Sequence, residues 1–89
     1  MEINFYKMKE IFGTEIFEII KDNIDNVEQN IKYMIYLNFD DIEGLFERCP
    51  YSFIDIPKQF KIKIDKLIRE IGKDYIRIIQ NNVELLENL

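Results

Sequence analysis

The chain has 89 residues, of which 47% are hydrophobic and 33% charged, and its net charge is −5. This is enough apolar material for one compact domain, residues 1–89, and too short a chain for two ordinary ones. The chain contains no histidine, which removes the usual general base and the commonest metal ligand. We therefore expect a protein that is not an enzyme and that uses no cofactor.

The first residues of the chain and its single cysteine indicate the cellular compartment of the protein. The first ten residues, MEINFYKMKE, lack the basic start and apolar run of a secretory signal and the arginine-rich character of a transit peptide. Cys49 alone cannot form an internal disulfide, and no stretch approaches the roughly 18 apolar residues of a membrane span. We expect a soluble, unprocessed, cytoplasmic protein without membrane contact.

Apolar residues recur at helical spacing along the whole chain, which predicts an all-α fold. A first helix is predicted over residues 3–12 and ends at Gly13, after which Thr14 is the predicted cap of a second helix. The pattern as a whole predicts a small bundle or short solenoid of about five to six short helices.

Two capping-box patterns follow, in which a side-chain acceptor precedes a carboxylate by three residues. They are Asp25 with Glu28 and Asp40 with Glu43, and they predict helix starts near residues 26 and 41. Each helix has one apolar stripe, typical of a short helix packed on a core. The stripes consist of Val27, Ile31, Met34 and Ile35 in the first helix and Ile42, Leu45 and Phe46 in the second.

The stretch LFERCPYSFIDIP contains both prolines and the only cysteine. Pro50 cannot continue a helix, whereas Pro57 suits the first turn of a new one because its missing N–H would be unpaired there anyway. We predict a structural corner between two helices rather than a catalytic loop, with Phe53 and either Ile54 or Ile56 in the core.

The longest predicted helix runs from Pro57 to Ile71 and ends at Gly72. The last pattern, DYIRIIQNNVELLENL, predicts either one helix or two over residues 74–89, because Asn81 and Asn82 interrupt it. The apolar stripe of the longer helix consists of Phe60, Ile64, Leu67, Ile68 and Ile71.

Charge is distributed unevenly along the chain. Residues 1–47 contain four lysines and eleven acidic residues, a net charge of −7, whereas residues 48–77 have a net charge of +4. Such polarity either steers a partner or reflects solvated helix faces. The candidate nucleic-acid face, called the basic row below, is Lys58, Lys61, Lys66, Arg69 and Lys73.

Two local features of the sequence raise the question of a reactive thiol and of a metal site. A thiol beside Arg48 could be reactive, but Cys49 lies at a predicted helix end that disfavours thiolate, so we predict a buried, inert cysteine. The acidic residues Asp40, Asp41, Glu43 and Glu47 could hold a divalent cation. Capping and helix-dipole roles explain them better, and we predict no metal site.

Three segments form an internal repeat: IFEIIKDNIDNV, IEGLFERCPYSF and YIRIIQNNVELL. They align with Ile20, Phe46 and Ile79 in equivalent positions, at offsets of 26 and 33 residues. Periods of this size are typical of helical solenoids, in which each unit buries its apolar face against the next. The repeat predicts two and a half degenerate units; the alternative is a chance match among isoleucine-rich helices.

The stretch LFERCPYSFIDIPKQFKIKIDKLIREIG, residues 45–72, resembles one repeat of the mitochondrial transcription termination factor family. Pro50 stands in the position of the family's proline, Phe53 in that of its leucine and Gly72 in that of its closing glycine. The resemblance extends over residues 14–89 and implies curved arrays of helices that bind nucleic acid along a basic concave surface. This chain differs in being acidic, in its few units and in lacking an organelle presequence.

These observations favour a non-enzymatic α-helical interaction module that binds a protein partner or itself. The half unit at the end leaves apolar residues without a following repeat to cover them, and exposed apolar patches usually mark interfaces. The alternatives are nucleic-acid binding by the basic row and inhibition by an acidic surface that mimics nucleic acid. The candidate interface residues are Val83, Leu85, Leu86 and Leu89.

Overall fold

The computed structural model of the protein describes residues 5–89 and has the all-α fold that the sequence predicts. In this part of the chain no residue belongs to a β-strand. The helices are α1 (Phe5–Asp22), α2 (Ile24–Tyr36), α3 (Ile42–Arg48), α4 (Pro57–Ile71), α5 (Tyr75–Asn81) and α6 (Glu84–Glu87), with a 3-10 helix at Pro50–Phe53.

Gly13 interrupts α1, as predicted, because its backbone has a φ of 82° and a ψ of 174°. This conformation is unfavourable for residues with a Cβ atom, so glycine permits the kink. The predicted helix over residues 3–12 begins partly outside the described residues. The kink lets the two halves of α1 lie at different angles against the core.

The predicted start of α2 is wrong, since the helix begins at Ile24 and not near residue 26. Asn23 occupies the cap position, but its side chain makes no capping bond; instead its amide donates to the Ile19 carbonyl at 2.8 Å. A single residue therefore joins α1 to α2. Asp25 lies in the first turn, where a carboxylate interacts favourably with the helix dipole.

The cap of α3 is Asp41 and not Asp40. The Asp41 carboxylate accepts a hydrogen bond from the Gly44 N–H at 3.0 Å. The side-chain oxygen of Gln80 in α5 accepts from the backbone N–H groups of both Asp40 and Asp41 at 3.0 Å. A contact with a distant helix thus also holds the start of α3.

The buried apolar side chains of the described residues form one cluster. Four phenylalanine rings connect α1, α3, the 3-10 helix and α4 through it. Their centroid separations are 6.0 Å from Phe12 to Phe46, 5.5 Å from Phe46 to Phe53 and 5.6 Å from Phe53 to Phe60. Ile35, expected in the stripe of α2, is instead 45% exposed.

The predicted end of α4 is confirmed: the helix ends at Ile71, and Gly72 has a φ of 92°. The left-handed region is easily accessible only to glycine, which makes it a natural stop. The last segment forms two helices rather than one, since the chain leaves helical angles at Asn82 between α5 and α6.

Candidate functional site

The corner between α3 and α4 has the conformation that its prolines predict. The α-helix α3 ends at Arg48, Pro50 begins the 3-10 helix, and Pro57 is the first residue of α4. Phe53 is fully buried and Ile54 partly so, while Ile56 points to solvent. The inner side of the corner therefore belongs to the core.

Two asparagines of α2 hold the backbone of this corner. The Asn30 amide donates to the carbonyls of Phe53 and Asp55, both at 2.8 Å. Asn26, one helical turn earlier, donates to the Ile54 carbonyl at 3.4 Å. Three successive carbonyls, the first at the end of the 3-10 helix and the other two in the loop after it, thus accept bonds from one helix. Asn30 is itself buried, and its two bonds offset the cost of removing its amide from water.

The outer side of the corner forms an open groove of about 670 Å³, called the corner groove below. Its apolar lining includes Phe60 of α4 and Leu86 and Leu89 of the C-terminal segment. Tyr51, which is half exposed, and Lys63 also line the corner groove. This volume lies within the usual range of ligand pockets, about 300–1,000 Å³.

Four charged residues line the corner groove, Arg48, Asp55, Lys63 and Glu87, and the first three bond to other groups of the protein. Lys63 contacts Asp55 at 2.8 Å, and this hydrogen bond holds the pKa of the Asp55 carboxyl below its usual value. The Arg48 guanidinium donates to the carbonyls of Gly44 and Gln80, both at 3.1 Å. The cations at the groove are thus held in position by other parts of the chain.

A second cavity of about 350 Å³ continues the corner groove along α4. Lys63 and Leu89 line both cavities, so the two cavities lie side by side between α4 and the C-terminal segment. Leu67 contributes from α4 and Leu85 from the opposite side.

The four candidate interface residues differ in how far their side chains are exposed. Leu86 is only 2% exposed and belongs to the core, so in this conformation it is not available to a partner. Val83 and Leu85 are partly buried against the same core, whereas Leu89 is 40% exposed. The C-terminal segment packs against the corner, and there the Ser52 hydroxyl donates to the Leu86 carbonyl at 3.2 Å.

All members of the basic row are exposed, four of them on α4 and Lys73 just beyond it. They do not form a purely basic surface, because the exposed Ile62 and the partly buried Asp65 lie on the same helix. Lys61 differs from the others in lying over the ring of Tyr33, with its Nζ 5.5 Å from the ring centroid.

Sequence reasoning missed the tyrosines beside this row. Tyr33 donates its hydroxyl to Asp65, and burial together with that carboxylate raises the pKa of Tyr33 to about 12. The ring of Tyr36 stacks on Tyr33 at 6.0 Å and is 76% exposed. The sequence feature that could have identified them is their spacing: two tyrosines three residues apart lie on one side of α2.

Cys49 is buried, as predicted, and its thiol donates to the Leu45 carbonyl at 3.0 Å. Burial raises the pKa of the Cys49 thiol, which disfavours the reactive thiolate. The thiol borders the corner groove, but these properties are those of a packed side chain.

The acidic cluster around α3 has structural partners. Asp41 caps the helix, while Glu43 and Glu47 both form ion pairs with Lys7. These bonds, first to Glu43 and then to Glu47, raise the pKa of the Lys7 ammonium. Among residues 5–89, no three potential metal ligands are grouped so as to hold an ion.

None of the helices in the described part of the chain is both long and apolar enough to cross a membrane. No protein-family model matches the chain, and neither a curated protein nor a solved structure matches it.

Proposed function

We propose that the protein is a non-enzymatic interaction module that binds another protein, or a second copy of itself, at the corner groove. The observation that supports this most is a groove with a partly apolar lining that lies open beside the buried apolar cluster. Half-exposed Tyr51 and Leu89 line it. Aromatic and large apolar side chains in such depressions are the usual anchors of protein interfaces.

The internal repeat supports the same proposal. The aligned residues Ile20, Phe46 and Ile79 are all buried, and so are the residues seven positions after each: Val27, Phe53 and Leu86. This shared pattern of burial fits a degenerate helical repeat, in which neighbouring elements cover the apolar face of each unit.

The test compares three forms of the protein as immobilised bait: the native chain, Leu89→Glu and Ile35→Glu. Leu89 and Ile35 are exposed to similar degrees, 40% and 45%, but only Leu89 lines the groove. Equal melting temperatures of the two variants make the comparison valid. We expect to identify a protein that is captured by the native chain and by Ile35→Glu but not by Leu89→Glu. This protein should also bind the purified native chain directly.

Self-association is measured on the same three forms by sedimentation over a concentration series. A mass that rises with concentration, and does so less in Leu89→Glu, identifies a second copy as the occupant. Identical captured proteins and identical monomeric masses in all three forms would contradict the proposal.

Nucleic-acid binding is the second candidate function, and the contact of Lys61 with the tyrosine pair favours it. An exposed ring such as that of Tyr36 offers a face on which a base can stack, and neighbouring cations supply phosphate contacts. The net charge of −5 works against it.

This candidate is tested by fluorescence anisotropy with labelled single-stranded and duplex oligonucleotides at low salt. Binding should fall steeply as salt rises and weaken in the double variant Lys66→Glu with Arg69→Glu. Tyr36→Leu should weaken binding of the single strand only. Absence of binding at low salt would eliminate this function.

A further inference from the structure

A single residue outside helical angles separates α5 from α6. Asn82 has a φ of −140° and a ψ of 68°, whereas Val83 after it already has helical angles, with a φ of −60° and a ψ of −21°. A change in the backbone of Asn82 alone would therefore join the two helices into one over residues 75–87. Asn82 is in this sense the hinge of the C-terminal segment.

The sequence of this segment also fits one continuous helix. Its apolar residues Tyr75, Ile79, Val83 and Leu86 follow one another at intervals of four, four and three residues, the spacing of a single apolar stripe. A straight helix would, however, carry Leu86 away from its own corner and leave a buried side chain without cover. The corner of a second copy offers Leu86 the same contacts, including the hydrogen bond from Ser52.

The side chain of Asn82 holds the bent form in place. Its amide donates to the Ile78 carbonyl at 2.8 Å, while its backbone N–H donates to the Ile79 carbonyl at 3.1 Å. In a continuous helix the same N–H would donate to the Ile78 carbonyl, four residues earlier. Because the side-chain amide takes the acceptor that a straight helix needs, removing the amide favours the straight form.

Asn23 makes the same two bonds at the junction of α1 and α2, in the position equivalent to Asn82 in the internal repeat. Its amide donates to the Ile19 carbonyl at 2.8 Å and its N–H to the Ile20 carbonyl at 3.1 Å. The helices that follow differ, since α2 has 13 residues and buries four of them, whereas α6 has four residues and buries Leu86 alone. Opening the junction at Asn82 therefore disrupts fewer contacts than opening the one at Asn23.

We propose that two copies of the chain exchange residues 83–89, so that α6 of each copy packs on the corner of the other. In this dimer Asn82 has helical angles, and Leu86 is buried at the corner of the other chain. Such an exchange preserves the contacts of α6 with the corner and loses only the bend, which makes it a low-cost route to a dimer. It does not depend on binding at the corner groove, which the same side chains line in monomer and dimer.

The test compares the native chain with Asn82→Ala and Asn23→Ala, each of which removes a side-chain bond of 2.8 Å to the carbonyl four residues earlier. Alanine also has the higher helix propensity, which favours a straight junction at both positions. Sedimentation over a concentration series measures the dimer of each form. We expect Asn82→Ala to lower the dissociation constant of the dimer about tenfold and Asn23→Ala to leave it unchanged.

NMR detects the exchange itself on a dimer refolded from equal amounts of isotopically labelled and unlabelled Asn82→Ala. We expect nuclear Overhauser effects between Leu86 of one chain and the 3-10 helix of the other. Inserting three glycines after Asn82 prevents a continuous helix and lets the segment reach its own corner, so it should return this variant to a monomer.

Leu89→Glu distinguishes this dimer from self-association at the corner groove. The Leu89 side chain is 40% exposed, so the substitution should leave the exchanged dimer intact, whereas it weakens binding at the groove. A dimer of Asn82→Ala that Leu89→Glu dissociates contradicts the exchange and supports the groove as the contact between copies.

The proposal is overturned if Asn82→Ala stays monomeric at the highest soluble concentration, or if Leu86 in its dimer contacts only the 3-10 helix of its own chain. Equal dimerisation of Asn23→Ala overturns it as well. Should Asn82→Ala fail to fold, the native chain and its glycine insertion decide the matter at high concentration. A native dimer that the insertion abolishes supports the exchange, and a native chain without such a dimer contradicts it.

Discussion

Two interruptions of the helical pattern in the second half of the chain, the corner before α4 and the segment after α5, are fixed very differently. At the corner, Phe53 is buried and Asn30 and Asn26 bind three successive carbonyls. The later segment is fixed by the burial of Leu86 and by two side-chain bonds, from Ser52 to the Leu86 carbonyl and from Asn82 to the Ile78 carbonyl. We therefore expect the corner, which three side-chain hydrogen bonds join to α2, to open less readily than the later segment.

The largest expected effect is at the centre of the corner. Phe53→Ala should lower the free energy of unfolding by about 3–5 kcal/mol, because it leaves a cavity between the rings of Phe46 and Phe60. Denaturant unfolding measures this, and a loss of that size would unfold a marginal domain. Tyr51→Ala, its exposed neighbour, is the control and should change stability by no more than about 0.5 kcal/mol.

Asn30→Ala removes the bonds of the corner without a large change in core volume. The cost should be about 1–3 kcal/mol for the Phe53 carbonyl that is left buried without a donor, with a smaller addition from Asp55. Asn26→Ala is the milder comparison, because its single bond is longer, at 3.4 Å. Equal and negligible losses in both variants would mean that the amide bonds do not hold the corner.

Leu86→Ala tests the more weakly held segment. We expect a loss of about 2 kcal/mol, the low end for a buried leucine, because α6 can open locally and so limit the cost. Denaturant unfolding should show this loss together with an unchanged slope. A loss as large as that of Phe53→Ala would show that the two interruptions are equally firm.

The alkaline stability of the α2–α4 contact should depend on Tyr33. Its pKa is about 12 in the folded chain against an ordinary value of 10.0, so the contact stabilises the fold fully below pH 10.0. That stabilisation is lost as the pH rises through the folded pKa.

The free energy of unfolding of Tyr33→Phe should therefore differ from that of the native chain by a constant amount below pH 10.0. This difference should shrink as the pH rises from 10.0 to about 12. Unfolding free energies at a series of pH values measure this. Parallel curves over the whole range would show that Tyr33 does not titrate with the fold.

The predictable parts of the fold depend on neighbours in sequence. Glycines at 13 and 72 stop helices through their own backbone freedom, and Pro50 and Pro57 act on adjacent turns, so the kink, the corner and the end of α4 were all predicted. The caps were misplaced by one or two residues, since Asn23 and Asp41 hold the positions expected for Asp25 and Asp40. Gln80, which binds the start of α3, lies 39 and 40 residues away.

The candidate site was predictable only in part, because a groove depends on how distant elements meet. The sequence identified the corner and the apolar C-terminal residues but not that they pack together. Leu86 was expected at an interface because a repeat without a successor leaves its apolar side open. In the structure that side chain turns inward onto the corner, and the opening lies between α4 and α6 instead.

Native-state amide hydrogen exchange compares the two interruptions in one experiment. The hydrogen-bonded amides of Cys49, Ser52 and Ile54 should exchange only through opening that approaches global unfolding, whereas those of Leu85, Asn88 and Leu89 should exchange faster through local opening. Corner amides that exchange as fast as the C-terminal ones would contradict the claim that the corner is a firm structural element.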